Sequence, residues 1–127
     1  VRVRMMCVAC RTETPQADDM VPTKPIAVFT TVGSEDEAQR IARALVERRL
    51  AACVQISAIE SFYRWDGAVQ NEREYRLLIK TVDERYAAIE ATIRELHSYE
   101  LPAIHACAID RIFAPYGEWV IQGSRQD

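Results

Sequence analysis

The strongest signal in the chain is a change of hydrophobic rhythm after residue 25. Residues 26–32, IAVFTTV, form a short apolar, β-branched run that suits a strand buried on both faces. Ser34 follows, with Glu37 three residues on in capping-box spacing, and Ala38, Ile41, Ala42 and Leu45 then recur at helical intervals. Residues 50–65, LAACVQISAIESFYRW, set Ala52, Val54, Ile56 and Ala58 at alternate positions and predict a strand. Asp66-Gly67 predicts a two-residue hairpin turn, because both central positions of that turn need positive φ. Residues 68–81, AVQNEREYRLLIKT, predict the returning strand. Asp83 is placed to cap a second helix with the stripe Tyr86, Ile89, Ile93 and Leu96. Residues 103–112, AIHACAIDRI, predict a fourth strand, and a short final helix is expected from about Pro115 to Gln122.

The order β-α-β-β-α-β is that of an α+β, ferredoxin-like fold: an antiparallel sheet with both main helices on one face. The central hairpin is too long for it. A strand over residues 50–65 would reach roughly 50 Å at ~3.3 Å per residue, while helices of about fifteen residues span only ~22 Å. The far half of the hairpin carries Phe62, Tyr63 and Trp65 and has no cover from its own chain. An exposed aromatic patch with free strand edges invites association, so a partner subunit is expected, in a closed cyclic assembly that protects every arm equally. The competing expectation is a bulge or break near Ser57-Ala58-Ile59 that folds the arm back.

Composition narrows the class. The 127 residues are 49% hydrophobic and 28% charged, with net charge −3, which suits one globular domain and gives no basic footprint for nucleic acid. No apolar run approaches the roughly 18 residues of a membrane-spanning helix. Arg2 and Arg4 precede an apolar stretch, Met5 to Cys10, shorter than the ~7–15 residues a signal peptide needs. A cytoplasmic setting is therefore expected, with Cys7, Cys10, Cys53 and Cys107 as reduced thiols. Residues 11–25, RTETPQADDMVPTKP, hold three prolines and no periodicity, so residues 1–25 read as an N-terminal extension and 26–127 as the domain.

Five runs in order, LAACVQI, SFYRWDG, EYRLLIKT, HSYELP and YGEWV, resemble the CutA divalent-cation tolerance family over residues 26 to about 122. The resemblance implies a ferredoxin-like protomer, a tight homotrimer built by edge pairing of the long hairpins, and a link to copper and other divalent metals. It implies no chemical reaction, and the chain is expected not to be an enzyme. Two departures stand out. The family usually has His-Pro-Tyr-Glu where this chain has His97-Ser98-Tyr99-Glu100, which predicts a loosened turn. It commonly has Glu after the next proline, where this chain has Ala103 and so one carboxylate fewer.

The candidate chemistry follows. MMCVAC, residues 5–10, has the soft-ligand letters Met-x-Cys-x-x-Cys, but a proline-containing tail follows it instead of a helix, so it is read as incidental. Cys53, His97 and Glu100 are the candidate metal contacts, weak or transient and at subunit clefts, for copper or another divalent ion; no cofactor is obligatory. Ser61, Tyr63, Trp65, Glu72, Glu74, Lys80, Tyr99 and Trp119 are candidates for an inter-subunit interface or a small-ligand pocket. His105 and Cys107 share one strand face, a spacing that suits a chelate but that any alternating strand produces. The expected partners are further copies of the chain, metal ions or a small molecule. The alternative reading is a stable trimeric scaffold or small-ligand sensor with no direct metal role. An RNA-binding domain of this topology would need a basic aromatic strand, a nucleotide sensor a glycine-rich phosphate loop, and a hydrolase a readable Ser-His-Asp or Cys-His arrangement. None of these is present in the sequence.

Overall fold

Alternation settles the first strand. In the computed structural model, which describes residues 23–125, β1 (Pro25–Val32) buries every second side chain, with Ile26, Val28, Thr30 and Val32 on the covered side. The cover is α1 (Glu35–Glu47) and α2 (Tyr86–Leu96), whose apolar stripes Ala38, Ile41, Leu45, Ile89 and Ile93 are all fully buried. β2 (Cys53–Trp65), β3 (Ala68–Val82) and β4 (Ile104–Ala108) complete a four-stranded antiparallel sheet in the order β2-β3-β1-β4. α3 (Ala114–Gly123) follows. No helix among the described residues is long and apolar enough to cross a membrane. The MMCVAC motif and nearly all of the N-terminal extension lie outside the described residues.

Local chemistry explains the element ends. Ser34 Oγ accepts from the Glu37 amide at 3.2 Å and starts α1. The other half of the expected capping box does not form, because the Glu37 carboxylate is engaged elsewhere. Arg49 takes positive φ (59°) just past the helix, and the Leu50 amide donates back to Leu45 O at 3.0 Å, so the residues expected to open β2 instead close α1. Asp83 is not a side-chain cap: residues Asp83–Arg85 form a 3₁₀ turn that leads into α2. The fourth strand is shorter than its apolar pattern, because its partner β1 begins at Pro25 and the ladder ends with Ile109 N–H on Pro25 O at 3.2 Å.

The hairpin is long and unbroken. β2 and β3 pair continuously from Cys53↔Lys80 to Trp65↔Ala68, so no bulge interrupts residues 57–59 and the arm does not fold back. Asp66 and Gly67 both take positive φ, 52° and 76°, as the turn requires. β1 reaches only as far as Tyr75 along β3. Residues 59–65 and 68–74 therefore project as a bare two-stranded arm roughly 23 Å long. On it Phe62, Trp65 and Val69 are 68%, 56% and 66% exposed.

Candidate functional site

The pleat sorts the candidate residues. Since Val28 and Thr30 point beneath the helices, Ala27, Phe29 and Thr31 point to the opposite, open face. Directly opposed residues share a face, so the register puts Lys80, Arg76, Glu74 and Glu72 of β3 there too. Cys53, Ser61, Tyr63 and Trp65 of β2 and His105 and Cys107 of β4 join them. Nearly every candidate on a strand lies on this face. α3 lies against β3 and β1 at one end of it: the Tyr116 ring lies 5.4 Å from Lys80 Nζ, Tyr116 stacks on Trp119, and Gly123 approaches Ala52 too closely to accept a Cβ.

A polar network occupies the base of the arm. The turn after α2 brings His97, Ser98 and Tyr99 against the start of α1 and the end of β1. The His97 side chain is wholly buried. Its Nε2–H donates to Thr31 O at 2.7 Å and its Nδ1 accepts the Tyr99 amide at 3.1 Å, so both ring nitrogens are used by the backbone. Glu37 Oε1 lies 3.8 Å from Nδ1, but that nitrogen is already an acceptor, so the contact is not an ion pair. The buried Glu37 carboxylate is satisfied by Ser98 instead, by its N–H at 2.7 Å and its Oγ at 3.1 Å. The turn is thus tied where serine was expected to loosen it: proline has no N–H and no hydroxyl to offer Glu37.

Tyr99 extends the network to the open face. Its hydroxyl donates to Glu74 Oε2 at 3.0 Å. Burial first, then this bond and the carboxylate charges of Glu74 and Glu72, push the Tyr99 phenol up to about 12. Tyr63 is raised as well, first by its hydrogen bond with Glu72. The arm therefore presents two tyrosine–carboxylate pairs on one face, Tyr63 with Glu72 and Tyr99 with Glu74. Lys80 does not join them. It sits six residues from Glu74 along β3, roughly 20 Å away, and donates to Gln55 Oε1 at 3.1 Å.

Nor do Cys53, His97 and Glu100 converge within one chain. Cys53 is half-buried in the Ala27–Lys80 row of the sheet, while His97 binds Thr31, four residues along β1, and Glu100 is exposed on the turn. No group of three metal-binding side chains exists among the described residues. The sequence did not single out Glu37 or Ser98 as network residues. The only available signal was the N3 carboxylate of α1, whose side chain turned to a partner 61 residues away.

Comparison with known proteins agrees with this architecture. The profile described as CutA1 divalent ion tolerance protein matches residues 26–123. The divalent-cation tolerance protein CutA of Thermus thermophilus is 42% identical over 94 residues, covering 73% of this chain and 91% of that protein. The CutA1 structure from the psychrotrophic bacterium Shewanella sp. SIB1 has a TM-score of 0.78 at 41% identity, over 81% of this chain and 97% of that one. The structure of the periplasmic divalent cation tolerance protein CutA from Archaeoglobus fulgidus gives 0.78 at 34% identity, over 80% and 99%.

Proposed function

The chain belongs to the CutA1 divalent ion tolerance family, and we propose that it acts in tolerance of divalent cations, copper among them, as a closed homotrimer. One observation carries the assembly: an arm of paired, solvent-exposed strands bearing Phe62, Trp65 and Val69, on a sheet whose outer strands β2 and β4 each have a free edge among the described residues. Two different free edges on one protomer suit a head-to-tail contact, and such contacts close into a ring when the rotation between neighbours brings the last edge back to the first. Burying the arm removes its apolar surface from water at about 25 cal/mol per Å².

The cation is cargo in this reading. His97 has no nitrogen to offer, since binding a metal would break its bond with Thr31 or with Tyr99. Weak or transient contact therefore falls to Cys53 and Glu100, brought together from different chains at a subunit boundary. The free thiols Cys53 and Cys107 fit a reducing, cytoplasmic setting. No catalytic role is assigned to any residue.

The two tyrosine–carboxylate pairs favour a second reading, a small-ligand sensor whose pocket forms where the arm meets a neighbour, lined by Ser61, Tyr63, Trp65 and Glu74. Copper titration by calorimetry, run on the full chain and on a version starting at Met20, separates the two. Equal binding by both supports a site in the domain. Binding by the full chain alone assigns it to Cys7 and Cys10. No binding by either moves the function to a small molecule.

A further inference from the structure

Both edges of the sheet are apolar on the side that carries the helices. Ile104, Ala106 and Ala108 of β4 oppose Thr30, Val28 and Ile26, and Val54 and Ile56 of β2 oppose Ile79 and Leu77, so both sets project to that side. The helices do not cover them. Ala106 and Ala108 are exposed, and Ile56 is 38% exposed. Beside β4 the gap is an open groove of about 490 Å³ whose walls include Ile26, Tyr86, Ile104, Ala106 and Ala108. Beside β2, Val46 is 43% exposed on the flank of α1 away from Arg48, which pairs with Glu95 of α2. The bare arm alone gives too little contact for a stable assembly. At roughly 23 Å by ~10 Å, its two faces offer about 460 Å² in projection, against ~800 Å² per partner in a standard interface.

We infer that the protomers also join body to body, with Ile56 of one chain entering the groove beside β4 of the next, between Ala106 and Tyr86. The inference rests on the closed assembly proposed above and fixes which surfaces meet in it. Each neighbouring pair in the order β2-β3-β1-β4 is antiparallel, so β2 and β4 run in opposite directions. Two protomers set edge to edge with their helices on one side therefore bring β4 of one against β2 of the next as an antiparallel pair. The sheet and its apolar layer then continue from chain to chain. Side-chain size selects the register. Within one chain Ile104, Thr30, Leu77 and Ile56 stand in a single row. With no slide between protomers, Ile56 would meet Ile104. A slide of two residues sets Ile56 opposite Ala106, Val54 opposite Ala108 and Ala58 opposite Ile104, a larger side chain against a smaller one at every step. Closing a sheet on itself requires such a stagger in any case.

The test uses the full chain with Cys7, Cys10, Cys53 and Cys107 changed to serine and with Ile56→Cys and Ala106→Cys added. Within one chain these two positions lie three strand spacings apart, roughly 14 Å, too far for a disulfide. Opposite each other across an antiparallel pair they are within reach. Oxidation is expected to give covalent species of two and three chain masses on a denaturing gel, which neither single-cysteine chain gives. In the parent chain, Ile56→Ala and Ala106→Ile should each raise at least tenfold the concentration at which light scattering shows dissociation, and the two together should restore it. A mass of three chains in solution with no cross-link, or no recovery in the double variant, would overturn the docking and leave the assembly standing. A parent with the mass of a single chain would overturn both.

Discussion

The hydroxyl of Tyr99 donates to Oε2 of Glu74 at 3.0 Å, joining the turn after α2 to the base of the projecting arm. Through the neighbouring backbone the same turn is held by His97 on Thr31 and by Ser98 on Glu37. The arm therefore leaves the domain from a tied base.

The Tyr99 phenol is raised from 10.0 to about 12, chiefly by burial and then by Glu74. A raised folded-state value means that the neutral phenol is favoured by folding. Its contribution to stability is complete below pH 10 and is lost as pH rises from there through about 12. Denaturation followed between pH 9 and 13 should show a steeper loss for the parent chain than for Tyr99→Phe. Parallel curves would contradict the assignment.

Gly33 is small because of Tyr99. A Cβ at residue 33 would lie 2.9 Å from the Tyr99 hydroxyl oxygen. Gly33→Ala should push the ring off Glu74 and cost about 1–2 kcal/mol, and it should lower the Tyr99 pKa toward the ordinary phenol value. Chemical denaturation and tyrosinate absorbance measure the two effects separately.

Ser98 supplies two donors to a buried carboxylate, and its replacements should rank by donors lost. Ser98→Ala removes only the hydroxyl and should cost about 1–2 kcal/mol. His97 is already extended (φ −82°, ψ 138°), the conformation a residue before proline adopts, so Ser98→Pro meets no clash there. It removes both donors and should cost about 3 kcal/mol. Equal stability of the two variants in urea melts would show that the Glu37 bonds contribute little.

Thr30 is 1% exposed beneath the helices, and its hydroxyl has no hydrogen-bond partner among the described residues. Thr30→Val replaces that hydroxyl with a methyl group of similar size and should raise stability by about 1 kcal/mol in the same urea melts. A loss instead would mean that the hydroxyl has a partner in solution.

What the sequence made legible was set by short-range chemistry. Ser34 before the helical stripe, Asp66-Gly67 between alternating runs, and the excess length of residues 50–65 each impose a local geometry, and each appears in the fold. The errors lie where a partner outside the hydrophobic pattern decides. Leu50 belongs to the end of α1 because its amide reaches Leu45, and β4 stops at Ala108 because β1 has no residue left in strand to pair with it. Glu37 had the spacing of a capping box, yet a serine 61 positions away took its carboxylate. At the candidate site, Tyr63 and Glu72 were readable as near neighbours across a hairpin. His97 is a metal candidate by sequence, and only the fold reveals that Thr31 and Tyr99 use both nitrogens.

The central claim is that the bare arm is an assembly element. Its most direct test is the mass in solution by light scattering, for the full chain and for a variant carrying Phe62→Lys and Trp65→Lys. Three times the chain mass for the parent, falling toward the mass of one chain in the variant, is the predicted result. A parent chain with the mass of a single chain at micromolar concentration would contradict it.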